Sequence, residues 1–386
     1  MRILFCNYEY PPLGGGGGVV MAAMARSLAE RHDVTVLTSQ AVDLPYEGMD
    51  ANVKVVRVPV FFRKALATAN FPSMAAYLPM GLWRGLQLGR KQRFDVINTH
   101  FAVPTGPLGD WLSRRLAIPN ILSVHGGDLY DPSKKSSPHR HAFLRRAVAR
   151  LLVKADGVVA QSRDTARNVD QIYGVDRKVD LIPLGIDRPP QNIQSQRSDF
   201  DLPENAFVMV TAGRIVPRKA STQLIDTLVA LPDSFLLVVG DGPEAAAVKH
   251  KAMELGVYNR LRMLGYVPDE VKYKAYAAAD VFVSTAQHEG FGLVFLEAMS
   301  FGLPVICYNK GGQTDFLATP ETGFVIQLND QQAFNDAVKA LRDAPERCKA
   351  VGRHNLDKVE DFFIERCAER YERVFEAAIA ARRGKQ

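Results

Sequence analysis

The sequence predicts an α/β protein made of two doubly wound, Rossmann-like domains in tandem. Three observations predict it. Short apolar runs of strand length alternate with stretches of helical period along the whole chain. The same alternation starts afresh near Phe207, after a Pro/Gly-rich break. Glycine-rich or charged loops follow directly after strands, where open parallel sheets bind their ligands.

The first half opens with an apolar strand, Arg2–Cys6, then a helix over Val19–Arg31 with Val20, Met24 and Leu28 on one face. Strands follow at Asp33–Thr38, Val53–Val58, Phe94–Asn98, Asn120–Val124, Gly157–Ala160 and Val179–Ile182, with helical stretches between them. The segment Ile182–Pro190 (IPLGIDRPP) ends this series and precedes a polar stretch. The second series has strands at Phe207–Thr211, Phe235–Val239, Leu261–Leu264, Val281–Ser284, Pro304–Cys307 and Phe324–Ile326. A helix over Phe362–Ala381 closes the chain, charged on one face and apolar on the other. The expected domains are 1–183 and 184–365, with 366–386 returning as a helix to the first. In such a tandem the carboxyl ends of both sheets are expected to face a shared cleft.

A length of 386 residues suits two domains, and 47% hydrophobic against 23% charged residues is ordinary for a globular protein. The four cysteines are scattered with no C-x-x-C pair, which argues against a disulfide framework or zinc site and fits a reducing cytoplasm. The apolar start is too short for a signal-peptide core. The net charge of +6 points to an anionic partner. No nucleic-acid module is visible, which leaves phosphorylated ligands and anionic lipid.

Four motifs carry chemistry. Gly14–Gly18 lies between the first strand and the first helix, where backbone amides can approach phosphate oxygens closely. No acidic residue closes the second strand, so the dinucleotide fingerprint is poorly met. His125-Gly126-Gly127-Asp128 follows a strand, which places a histidine at the carboxyl edge. Gly213-Arg214 and Lys219 follow the first strand of the second series, spaced to clamp a diphosphate. Glu289-Gly290-Phe291-Gly292-Leu293 runs into a helix that carries Glu297. Amides of Phe291, Gly292 and Leu293 can face an anion there, while the two carboxylates can each accept hydroxyls.

The stretch from Ala279-Asp280 through Glu289-Gly-Phe-Gly, Glu297-Ala-Met, Gly302-Leu-Pro-Val, Gly311-Gly312, Asp315 and Thr322-Gly323 resembles the family 4 retaining glycosyltransferases of the GT-B fold. The similarity runs over nearly the whole chain. It takes in the glycine loop, Ile182-Pro-Leu-Gly-Ile-Asp187, the G-R-x4-K spacing and Gly240-Asp241-Gly242-Pro243. It implies a nucleotide-sugar donor, UDP- or GDP-linked, and a glycan or lipid-linked acceptor, with no cofactor and no metal. By the same resemblance Glu297 holds the ribose and Glu289 the donor sugar. Arg214 and Lys219 neutralise the diphosphate, and His125 lies near an outer sugar hydroxyl. Gly15, Gly16 and Gly17 lie near the phosphates, Tyr266 and Val267 against the base, and His100 and Asp128 near the acceptor. Ala220 departs from the family pattern, which has glycine there, and Asp315 stands for glutamate.

Two further segments bear on the acceptor. Ala65–Trp83 carries no charge over 19 residues, but Thr68, Asn70, Pro72, Ser73 and Pro79 argue against a membrane-spanning helix. His139–Lys154 reads as a basic amphipathic helix with Arg145, Arg146, Arg150 and Lys154 as its cations. Such a helix suits either core packing with a solvated face or an anionic membrane surface, which would put a cytoplasmic enzyme at the inner face of the membrane. A non-catalytic sugar-nucleotide binder, or a GT-B-shaped epimerase or phosphorylase, stays open as the alternative.

Overall fold

The computed structural model describes residues 1–41, 44–61, 63, 70–132 and 134–384. The chain forms two compact units, Met1–Asp187 with Phe363–Gln386, and Arg188–Phe362.

The first unit holds an eight-stranded sheet. Its strands are β1 (Arg2–Cys6), β2 (Asp33–Ser39), β3 (Glu47–Asp50), β4 (Val53–Val58), β5 (Val96–His100), β6 (Asn120–Val124), β7 (Gly157–Ala160) and β8 (Asp180–Leu181). They lie in the order β3-β4-β2-β1-β5-β6-β7-β8. Every pairing is parallel except β3 with β4. Helices α1 (Gly16–Ala29), α2 (Phe71–Lys91), α3 (Gly106–Leu116), α4 (Ala142–Lys154) and α5 (Arg163–Gln171) connect them. The chain winds outward from β1 and then returns to its other side with β5. The ends of β1 and β5 thus flank a topological switch point, where such sheets take ligands.

Helix α2 begins with a reciprocal cap: Ser73 N donates to Asn70 Oδ1 at 2.9 Å and Asn70 N to Ser73 Oγ at 3.3 Å. Gly81, Gly85 and Gly89 on α2 face Leu108, Leu112 and Leu116 on α3. A Cβ on any of these glycines would come within 2.7 Å of the opposing leucine's methyls, which therefore pack directly onto the α2 backbone. Of the uncharged stretch noted above, residues 65–69 lie outside the described residues. Among those described, no helix is long and apolar enough to cross a membrane.

The second unit holds a six-stranded, all-parallel sheet of β9 (Phe207–Ala212), β10 (Ser234–Val239), β11 (Leu261–Gly265), β12 (Val281–Ser284), β13 (Val305–Tyr308) and β14 (Gly323–Ile326). The order is β11-β10-β9-β12-β13-β14, the Rossmann arrangement, with its switch point between β9 and β12. Helices α6 (Gln223–Ala230), α7 (Ala245–Glu254), α8 (Asp269–Ala277), α9 (Leu293–Met299), α10 (Gln331–Arg342) and α11 (Pro345–Val359) pack around it. The final helix, α12 (Ile364–Arg383), belongs to the first unit. Its Cys367, Ala368, Tyr371 and Phe375 bury against the Ala/Met face of α1.

Candidate active site

The site in the second unit is built at its switch point. Leaving β9, Gly213 adopts φ 124°, and Gly240 and Gly242 let a neighbouring loop lie against it backbone to backbone. A Cβ on Gly240 would stand 2.1 Å from the Gly213 carbonyl, and one on Gly242 2.2 Å from that of Ile215. This accounts for the Gly240-Asp241-Gly242-Pro243 segment, to which the sequence assigned no role. The chain then makes a short turn, Pro217–Lys219, that ends with Ala220 in the left-handed region at φ 45°. The Thr285 hydroxyl, at the end of β12, faces the carbonyls of Lys219 and Ala220 at 3.2 and 3.0 Å and pins this turn.

A non-glycine residue in that conformation is strained by about 1–2 kcal/mol. Ala220→Gly is therefore expected to raise stability by up to about 1 kcal/mol, the glycine's greater unfolded-state freedom offsetting part of the relief. A urea midpoint measured at pH 7 checks this, and a fall in the midpoint would refute the strain argument.

The turn delivers two cations to one carboxylate. Lys219 Nζ bonds Glu289 Oε1, and Arg218 Nη1 lies 3.2 Å from the same oxygen while donating to the His288 carbonyl. The Glu289 side chain is 8% exposed and that of Lys219 14%. Burial alone would raise the Glu289 pKa, but Lys219 and Arg218 outweigh it and hold the carboxyl below its ordinary value. Glu289 is therefore ionised near neutral pH. Its backbone is held as well: Glu289 N donates to Lys310 O at 3.1 Å and Glu289 O accepts from Gly312 N at 2.8 Å. Gly311 sits at φ 125°, with room for no Cβ against the Glu289 carbonyl.

Past Glu289 the chain enters α9 through Gly292, at φ 92°. Phe291 is buried, with its ring against that of Phe316. Glu297, one helical turn into α9, sits between buried Leu296 and Ala298. Lys272 Nζ donates to its Oε1 at 3.1 Å and the Tyr276 hydroxyl to its Oε2 at 3.0 Å. Burial opposes the Lys272 charge, yet Glu297 and Asp269 more than compensate and raise its pKa. Tyr266, just beyond β11, is 92% exposed, with Val267 partly exposed beside it.

The sequence reading named Arg214 as a diphosphate clamp and passed over Arg218. The structure brings Arg218 to Glu289 and leaves the Arg214 side chain exposed, with no polar partner among the described residues. The adjacent pair Arg218-Lys219 was the available signal. Lys272 and Tyr276 were also missed; their spacing of four places them on one face of α8.

In the first unit the glycine run is split by function. Gly14, at φ 97°, abuts the Glu9 side chain, and a Cβ on Gly17 would meet the Phe101 ring at 2.6 Å. Gly15 has open space beside it, and its N–H donates to Glu9 Oε2 at 3.3 Å. Gly16 begins α1.

His125 follows β6. Its Nε2 lies 2.8 Å from His100 Nδ1, and His100 Nε2 lies 2.7 Å from Asn98 Oδ1. Burial pulls the His125 pKa down to about 4 and that of His100 well below its ordinary value, so both rings are neutral. Asp128 accepts the N–H of His125 at 2.8 Å and of Ala102 at 2.6 Å. His100 and Asp128, expected at the acceptor, are instead buried, and their polar atoms are engaged within the protein. They shape the His125 turn. The signal for this was present: Asn98, Thr99 and His100 extend β5 as a fully buried polar end.

Two family models match the chain: Glycosyltransferase Family 4 over residues 14–188 and Glycosyl transferases group 1 over residues 192–356. The UDP-Gal:alpha-D-GlcNAc-diphosphoundecaprenol alpha-1,3-galactosyltransferase of Escherichia coli is 26% identical over 365 residues, covering 87% of this chain and 90% of that protein. Sucrose-phosphate synthase from Thermosynechococcus elongatus superposes with a TM-score of 0.82 at 21% identity, covering 98% and 99% of the two chains. HepE of Anabaena, solved in complex with UDP-glucose, superposes with a TM-score of 0.76 at 19% identity, covering 98% and 100%. With both units accounted for in this way, the chain belongs to the family 4 (group 1) retaining glycosyltransferases and has their GT-B fold.

Proposed function

We propose that this enzyme transfers a hexose from a UDP-linked donor to a lipid-linked or glycan acceptor in cell-envelope polysaccharide or glycolipid synthesis, with retention at the anomeric carbon. The observation that carries the proposal is the buried Lys219–Glu289–Arg218 cluster at the switch point of the second sheet. An ionised carboxylate held by two cations leaves lone pairs for a sugar hydroxyl and positive charge beside a leaving diphosphate. UDP is favoured over GDP because the Escherichia coli relative is named for UDP-Gal and HepE was solved with UDP-glucose.

In this reading the bond between the anomeric carbon and the diphosphate oxygen breaks as the acceptor oxygen bonds the same face. The acceptor proton passes to the departing diphosphate. Lys219, Arg214 and the amides of Phe291, Gly292 and Leu293 stabilise its growing charge, and Glu289 positions Lys219 and the sugar. Catalysis is then positioning and electrostatic stabilisation. Glu297 takes the ribose hydroxyls, and Tyr266 and Val267 flank the base. On the first unit, Gly15, Gly16 and Gly17 are assigned to phosphate oxygens.

Calorimetric titration of UDP and GDP against wild type and Glu297→Ala tests the donor site. UDP should bind, and the substitution should weaken it by about 1–3 kcal/mol. Preference for GDP would change the base, while binding indifferent to Glu297 would sink the assignment.

The lipid-linked acceptor has support from α4. It exposes Phe143, Arg145, Arg146, Arg150, Val153 and Lys154, while Val148, Leu151 and Leu152 face inward. We assign this face to an anionic membrane surface. Co-sedimentation with vesicles containing phosphatidylglycerol should fall at least tenfold in Arg146→Glu/Arg150→Glu; equal sedimentation would refute it.

A further inference from the structure

The helices of the first unit fall into two sets, one on each face of its sheet. Strand β1 shows the division, since its successive side chains point to opposite faces. Ile3 and Phe5 lie under α1 and α12. Leu4 and Cys6 lie under Tyr77 and Leu88 of α2 and Leu108 and Leu112 of α3. Val148 and Leu152 of α4 cover Val124 and Val158 on that second face. Helix α3 sits between its neighbours: its leucines meet the α2 glycines, and Leu151 of α4 packs at Gly106, the first residue of α3. The outer sides of α2, α3 and α4 therefore form one continuous surface.

That surface has a charge of its own. The three helices carry nine cations and a single carboxylate, Asp110. This is a net +8, against +6 for the whole chain, so all other residues together sum to −2. On the opposite face α12 mixes four carboxylates with five cations. Of the nine cations, Arg84 and Arg114 alone pair with a carboxylate among the described residues, Glu47 and Asp110 respectively. A field of one sign repels itself unless an anionic surface faces it.

Apolar groups stand among these cations. The chain has two tryptophans, and both are here. Trp83 of α2 is 57% exposed and Trp111 of α3 38%, where rings of that size are ordinarily buried. Trp83 ends a line with Phe71, Ala75 and Pro79, spaced four residues apart along the exposed side of α2. Phe143 of α4 is 80% exposed, and Val153 is exposed beside it. An acyl layer accepts aliphatic and aromatic groups alike, as a stack of nucleic-acid bases does not. Tryptophan in particular settles where headgroups meet acyl chains.

We propose that the joint outer surface of α2, α3 and α4 lies on an anionic bilayer, with Trp83 and Trp111 seated at headgroup depth and the cations against lipid phosphates. This extends the α4 contact given above and rests on it. A lipid-linked acceptor then reaches the first unit by diffusion within the bilayer.

Trp83→Phe and Trp111→Phe each leave one tryptophan, so the fluorescence of each protein reports a single residue. Both should shift to the blue with phosphatidylglycerol vesicles, and both should be quenched when the acyl chains carry bromine. Phosphatidylcholine vesicles should produce neither change. Trp83→Ala or Trp111→Ala should weaken vesicle binding by about tenfold. If an alanine variant fails to fold, quenching in the phenylalanine variants decides. An unchanged spectrum from either tryptophan, in protein that sediments with the vesicles, overturns the proposal and leaves the α4 contact standing. Wild type that does not sediment at all overturns both. An equal response to phosphatidylcholine overturns the anionic partner, and a blue shift with heparin but not with vesicles assigns the surface to a soluble polyanion instead.

Discussion

Lys219→Ala should lower turnover by about two to three orders of magnitude, the usual effect of removing one preorganised group that stabilises transition-state charge. It should also lower stability by about 3–5 kcal/mol, because it strands a buried carboxylate. Glu289 is the less exposed member of the pair and keeps only Arg218 as a counter-charge. Its pKa should move up, since burial already pushes that way and Lys219 is the strongest opposing influence. Stability and chemistry can be separated with a paired substitution. Lys219→Met with Glu289→Leu removes both charges and fills similar volume, so it should recover most of the lost stability. Turnover should stay at the level of Lys219→Ala, because neither the diphosphate charge nor the sugar hydroxyl has a partner. Urea midpoints and steady-state rates on wild type and these two variants give the answer. If the double variant regains activity, or Lys219→Ala keeps it, the cluster is a structural ion pair and not the site.

Why the fold was legible and parts of the site were not follows from where each signal lives. The strands that read correctly, such as Asn120–Val124 and Gly157–Ala160, are apolar runs buried on both faces, a purely local pattern. Where burial is polar the pattern fails. The reading ends this strand at Asn98, whereas β5 runs through Thr99 and His100, whose side chains bury by bonding to Asn120 of β6 and to Asn98 respectively. The edge strand Glu47–Asp50 was missed because EGMD has neither alternation nor apolar content, and it pairs only with β4. Helix α1 starts at Gly16, three residues before the Val19 expected from propensity, because packing against β-sheet and α12 outweighs the poor helix preference of glycine. The basic helix begins at Ala142, after a separate turn over Pro138–Arg140, and not at His139.

Motif spacing singled out Glu289, Lys219 and Glu297, whose proposed roles depend on loops that follow strands. It named Arg214 beside them and passed over Arg218, whose approach to Glu289 depends on the left-handed Ala220 turn and on Thr285 from the neighbouring strand. Asn98 and Gln161 were likewise out of reach. Each is an ordinary polar residue in sequence, and gains meaning only when β5, β6 and β7 bring them around His125.

The burial of His125 should leave a signature in the pH dependence of stability. Its folded-state pKa is depressed, so the native protein declines a proton that the unfolded chain accepts. Stability is unaffected above pH 6.5 and is lost as pH falls toward the native value of about 4, where the penalty saturates. A shift of that size corresponds to about 3 kcal/mol. His100 acts in the same direction. Asp128 acts in the opposite one: burial raises its pKa to about 6, against the pull of the Ala102 and His125 amides, so its protonation favours the native state as pH falls from 6. The absolute curve therefore mixes opposing contributions, and the informative quantity is the difference between wild type and His125→Gln. Asp128 is common to both proteins and largely cancels. Between pH 6.5 and 4 wild type should lose about 3 kcal/mol relative to the variant, read from urea midpoints at matched ionic strength. A flat difference curve would mean that His125 protonates in the native state as freely as in the unfolded chain.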